Sequence, residues 1–180
     1  MDIVSSEEKQ KPYFCLAVWA AGALFTLLKG IDRNPWGVGI FDLDFLTLLI
    51  GYLFLSFSRI QAVAFALIQG LFVDVFSSGP NGLSALSYLS VFWGIYGVSL
   101  FFNLENTKGQ IIIISSAVFL KNITLVAIIA FVSGRFDLSR SFFYAAAISV
   151  VGTGLLAPIL YAFFDRLRDT SEKERDAQAL

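Results

Sequence analysis

The chain reads as six apolar runs, at 13–28, 43–58, 60–76, 83–102, 110–132 and 141–164, separated by short polar breaks. Crossing a hydrocarbon core about 30 Å thick takes roughly 20 apolar residues in helical form, and about 17–25 is the usual range. Lipid offers no hydrogen-bond partner, so backbone groups inside it must pair within a helix or a closed barrel. The runs are continuous and show no period-2 alternation, which selects helices over barrel strands. The expected fold is therefore all-α, a polytopic membrane bundle of six transmembrane helices spanning 13–164. The residues at 1–12 and 165–180 are expected as charged tails.

Composition agrees with that frame. Apolar residues make up 57% of the chain and charged residues only 15%, with a mean hydropathy of +0.74. Soluble domains carry about 25% charged residues, so a soluble globular class is excluded, and this hydropathy excludes disorder. Of 27 charged residues, 14 lie in 1–12 and 165–180. The chain has no His, which removes the usual general base and the commonest metal ligand. A single Cys, Cys15, allows neither an intrachain disulfide nor a thiolate metal cluster. A net charge of −1 leaves no basic surface for nucleic acid. No cofactor and no catalytic residue is expected.

The Lys and Arg distribution sets orientation, because cytoplasmic connections carry the excess. With both termini inside, the inner segments hold Lys9, Lys11, Arg59, Lys108, Arg166, Arg168, Lys173 and Arg175. The outer ones hold Lys29, Arg33, Arg135 and Arg140. The first run is expected to stay in the protein and not to be cleaved as a signal. The segment before it is mixed in charge, and no clear small-residue cleavage site follows.

One constellation stands out. Ala62, Ala66, Gly70 and Asp74 recur every four residues on the third run, and the turn Ser78-Gly79-Pro80-Asn81-Gly82 follows. Small residues at this spacing let membrane helices approach closely. Asp74 continues the stripe, so it is expected to point into the bundle or toward a partner. An ionisable group near the bilayer centre costs about 2.5–3.5 kcal/mol and needs a partner. Two partners are open: the backbone amides of the following turn, or Lys121 in the fifth run. Depth counting puts Asp74 and Lys121 within roughly 4–5 Å of one level at 1.5 Å per residue. Lys121 can instead snorkel toward the cytoplasmic interface. Asp74 is expected to matter more than Asp42, which belongs to the wet interface. Two further small-residue stripes, Ala145-Ser149-Thr153-Ala157 and Ser90-Gly94, are expected to pack inside the bundle. Pro158 is expected to kink the sixth helix.

The stretch from Asp42 to about Tyr96 resembles the MreD family of rod shape-determining membrane proteins. The features that carry the resemblance are an acidic residue (Asp42 or Asp44) opening the run Phe45-Leu46-Thr47-Leu48-Leu49, a short hairpin, the Gly70-x-x-x-Asp74 helix end, and the Ser78-Gly79-Pro80-x-Gly82 turn. Asp42 follows Phe41, where the family often has proline. The resemblance implies a non-enzymatic subunit of the bacterial cell-elongation machinery in the inner membrane. Its expected partners are an MreC-like bitopic membrane protein and, through that protein, an MreB-like filament and the peptidoglycan synthases. Structural or partner-binding roles would fall on Gly70, Asp74, Gly79, Pro80, Gly82 and Lys121. The same family resembles, in layout, the substrate-binding subunits of energy-coupling-factor vitamin transporters, so a small-molecule binder is the rival reading. The polar groups available for a pocket in that case are Asp74, Asn81, Asn106 and Asn122.

Orientation is directly testable. In a Cys15→Ala background, a Ser78→Cys thiol should react with an impermeant reagent added outside the cell; labelling from the cytoplasmic side alone would reverse the assignment.

Overall fold

The computed structural model describes residues 4–31, 43–76, 82–102, 106–133 and 140–178. They form six helices and, among the described residues, no strand: α1 (Val4–Ile31), α2 (Phe45–Ser56), α3 (Arg59–Phe76), α4 (Leu83–Ser99), α5 (Thr107–Ser133) and α6 (Arg140–Gln178). Three of them are long and apolar enough to cross a membrane: α3, α5 over Thr107–Val132, and α6 over Phe142–Arg168. The apolar part of α1 (Cys15–Leu28), α2 and α4 are shorter.

The all-helical expectation matches the architecture, and helix continues into the charged segments at both ends. Helix α1 starts at Val4 and α6 runs unbroken through Pro158 to Gln178, so much of both expected tails is helix. An established helix adds one hydrogen bond per residue fixed, and it propagates past the apolar boundary into charged sequence.

Helix α2 is the hub. It has only 12 residues, of which eight, Leu46 to Leu53, are buried. It packs against α1, α3, α4, α5 and α6, while its neighbours also meet pairwise as α1–α3, α3–α4, α4–α5 and α5–α6. A helix that is apolar on every side belongs in such a centre. Leu49, Ile50 and Leu53 from α2 join Phe65, Val91, Ile95, Ile113 and Val118 in one continuous core. The outward faces are apolar as well, with Ile60, Val75, Phe101 and Phe131 all largely exposed. That is the surface of a protein solvated by acyl chains, which give helices no hydrophobic reason to associate.

What joins the helices is therefore close fit and polar contact. The α2–α3 hairpin turns at Ser58, whose carbonyl accepts from Ala62 N at 3.1 Å and whose hydroxyl accepts from Gln61 N at 3.3 Å. At the same end, the Tyr52 hydroxyl donates to Asp165 at 3.1 Å, and the Arg59 guanidinium lies 5.2 Å from the centre of the Tyr96 ring. Ala62, Ala66, Gly70 and Asp74 are all buried, so the stripe faces inward as its spacing suggests. Ser149, Thr153 and Ala157 on α6 are buried too, and Gly94 lies close to Ala117 of α5. Gly70 is the tightest helix–helix approach to backbone. A Cβ there would lie 2.5 Å from Ala85 Cα and 3.0 Å from Ala85 N.

Gly70→Ala should therefore push α3 off α4 and cost about 1–3 kcal/mol, the usual penalty of overpacking. Gly97→Ala, where a Cβ meets nothing within 4 Å, should be close to neutral. Thermal unfolding of the two variants in detergent compares them directly; equal midpoints would remove Gly70 as a packing determinant.

Candidate functional site

Among the described residues two carboxylates are buried in the bundle, and each organises its surroundings in a different way. Asp74 lies at the end of α3, one helical turn beyond Gly70, and is 6% exposed. Its Oδ2 accepts from Gly82 N at 3.0 Å and Ala85 N at 3.1 Å, and its Oδ1 accepts from Ser84 N at 2.8 Å. These are N–H groups at the first turn of α4, which have no partner inside their own helix. Gly82 is the N-cap of α4, has no side chain to serve them, and takes φ +91°, a conformation that glycine adopts without strain. Asp74 thus caps the next helix from the previous one, with its negative charge on the positive end of the α4 dipole. Gly70 makes the arrangement possible by letting Ala85 come within reach. Gly79 and Pro80 lie outside the described residues.

Asp44 is the second carboxylate, and it is 3% exposed. It caps α2 through Thr47, accepting from Thr47 N at 3.4 Å and from the Thr47 hydroxyl at 2.6 Å. The Tyr88 hydroxyl of α4 donates to Asp44 at 3.3 Å, and Lys121 of α5 forms an ion pair with it. The Asp44 backbone N–H donates to the Thr153 hydroxyl of α6 at 3.0 Å. The Lys121 ammonium also lies 5.3 Å from the centre of the Tyr88 ring, a cation–π distance. One residue thereby ties α2, α4, α5 and α6 together.

The depth of this knot follows from the helix lengths. Asp44 lies about 12 residues from the α2–α3 hairpin, and Lys121 lies about 14 from the start of α5. At 1.5 Å per residue both are roughly 18–21 Å from the same end of the bundle.

Of the two partners left open for Asp74, the structure shows the backbone amides and not Lys121. Lys121 is engaged by Asp44, and Asp74 by three backbone amides. Depth counting placed Asp74 and Lys121 near one level, but it carries no information on which helices are neighbours. The amide-capping alternative for Asp74 is the one that the geometry matches. Asp44, Thr47, Tyr88 and Thr153 were not singled out as site residues, although a signal was present. Asp44 followed three residues later by Thr47, at the head of an apolar run, is an N-cap pattern, and Thr153 lies in a small-residue stripe.

Among the polar groups considered for a pocket, Asp74 is committed to α4, and Asn106 lies at the start of α5, accepting from Lys108 N and Gln110 N. Asn81 lies outside the described residues. The Asn122 side-chain nitrogen, the Gln69 side-chain oxygen and the Tyr161 hydroxyl are buried with no hydrogen-bond partner among the described residues. No group of three or more His, Cys, Asp or Glu side chains comes together among the described residues.

Removing one member of a buried ion pair strands the other, at a cost of about 3–5 kcal/mol, whereas replacing both by apolar groups is often nearly neutral. Asp44→Ala and Lys121→Met should each destabilise by that amount, and the double variant should recover most of the loss. Additive losses in a double-mutant cycle would show that the pair carries no coupling. Asp74→Ala should cost about 1–3 kcal/mol through the unmet amides, and Lys121→Met should not alter that cost.

No protein-family model, no curated protein and no solved structure matches this chain, so the site rests on its own residues and their geometry.

Proposed function

We propose that this protein is a non-enzymatic, multi-pass subunit of the bacterial cell-elongation complex in the inner membrane, similar to the MreD family, with both termini cytoplasmic. All six helices would lie in the membrane in this reading, the short α2 held at depth by its five neighbours. The protein would bind an MreC-like bitopic membrane protein and, through it, couple an MreB-like filament to peptidoglycan synthesis.

The supporting observation is what the MreD-like residues do. Gly70, Asp74 and Gly82, which carry the resemblance, and Asp44, one of the two acids that can open its second run, all go into joining α2, α3, α4 and α5. A carboxylate bonded to three amides, and another bonded to Lys121, Thr47 and Tyr88, have their acceptor capacity spent inside the chain. That favours a stiff element acting through its surface over one that opens its polar groups to a ligand. The vitamin-binding reading keeps in its favour the buried Asn122 nitrogen, Gln69 oxygen and Tyr161 hydroxyl, which have no hydrogen-bond partner among the described residues.

Depletion separates the two. Rounded, widened cells with unchanged vitamin uptake, together with co-purification of a single-span protein, are expected. Cells that keep their rod shape and lose uptake of one vitamin would overturn the proposal in favour of a transporter subunit.

A further inference from the structure

The three helices long enough to cross a membrane are unequal. Helix α3 offers 18 residues, against 26 in α5 and 27 in α6. At 1.5 Å per residue these correspond to about 27, 39 and 40 Å. A span longer than the hydrocarbon core can tilt until it fits, whereas a shorter one is matched by local thinning of the bilayer, by snorkelling of its flanking residues or by oligomerising. Its neighbour α4, with 17 residues, adds little height on that side.

Both ends of α3 are fixed. At one end Arg59 and Gln61 are exposed and polar, with Arg59 held against Tyr96. At the other, Asp74 is bonded to the first turn of α4. Between them runs an exposed apolar stripe of Ile60, Leu67, Ile68, Leu71, Phe72 and Val75, with no charge on it. From Ile60 to Phe76 this stripe rises roughly 24 Å, several ångströms short of a hydrocarbon core of about 30 Å.

We propose that the α3 face is a lipid-recognition surface that selects short acyl chains and holds the bilayer locally thin, while the α6 face accepts lipid of ordinary length. The occupant of the α3 face is bilayer hydrocarbon, because the stripe is wholly apolar and its height, set by the two fixed ends, is that of a thinned membrane. The inference rests on the membrane-spanning lengths of α3, α5 and α6 and is independent of the cell-elongation reading.

The test uses purified full-length protein in phosphatidylcholine bilayers whose chains run from about 14 to about 22 carbons. Fluorescence quenching by brominated lipid is read from a single tryptophan, introduced as Phe72→Trp on α3 or Leu155→Trp on α6. Trp19, Trp36 and Trp93 are each replaced by Phe. The α3 reporter should show relative lipid binding that is highest at the short end of the series and falls severalfold toward the long end. The α6 reporter should be flat or favour longer chains. Arg59→Leu with Gln61→Leu lengthens the apolar stripe and should move the α3 preference toward longer chains. A protein carrying only Trp19→Phe and Trp36→Phe, read through the native Trp93 on the exposed side of α4, should follow the α3 trend. Identical profiles on the two faces overturn the proposal. So does an α3 reporter that no lipid quenches, because that face would then be covered by protein, a second copy of this chain included.

Discussion

A buried charge in lipid needs a partner, and the placement of Asp44 shows how much of a fold that demand can organise. Its carboxylate takes Lys121 as counter-charge, Tyr88 and Thr47 as hydroxyl donors, and its amide reaches Thr153. Apolar packing against acyl chains gives helices no net reason to leave lipid for each other. Four helices meet at this level because four helices hold atoms that one carboxylate and its amide require.

Asp74 solves a related problem by different means. Three N–H groups at the start of α4 would be orphaned beside a glycine cap, and one carboxylate on the preceding helix serves all three. The two acids divide the work: Asp44 fixes which helices surround α2, and Asp74 fixes how α3 hands the chain to α4. Neither depends on the other's partners, which separates their energetic contributions.

Much of this was legible from one-dimensional pattern. The six helices follow from apolar runs and from the polar breaks at Arg59 and 78–82, and the inward face of Ala62, Ala66 and Gly70 follows from four-residue spacing. What was not legible is azimuth. Depth along a helix can be counted from residue number, so Asp74 and Lys121 looked matched, but which helix stands beside which depends on packing around α2. The central place of α2 leaves no trace in its sequence, since a 12-residue apolar run reads the same buried or lipid-facing. Helix ends and apolar boundaries are set by different things. Charged residues mark where the membrane stops, and α1 and α6 continue as helix past that point.

The wide sequence separation inside the Asp44 centre also has a consequence for how the protein is made. Lys121 follows Asp44 by 77 residues and Thr153 follows it by 109. At about 5–20 residues per second of synthesis, Asp44 leaves the ribosome roughly 4–15 s before its counter-charge does. During that interval the Thr47 hydroxyl is at hand on the same helix, and Tyr88 follows 44 residues after Asp44. Helix α2 therefore meets the membrane carrying an acid whose ion-pair partner has not been synthesised. The centre is complete in sequence only once Thr153 of α6 has also been made, 109 residues after Asp44.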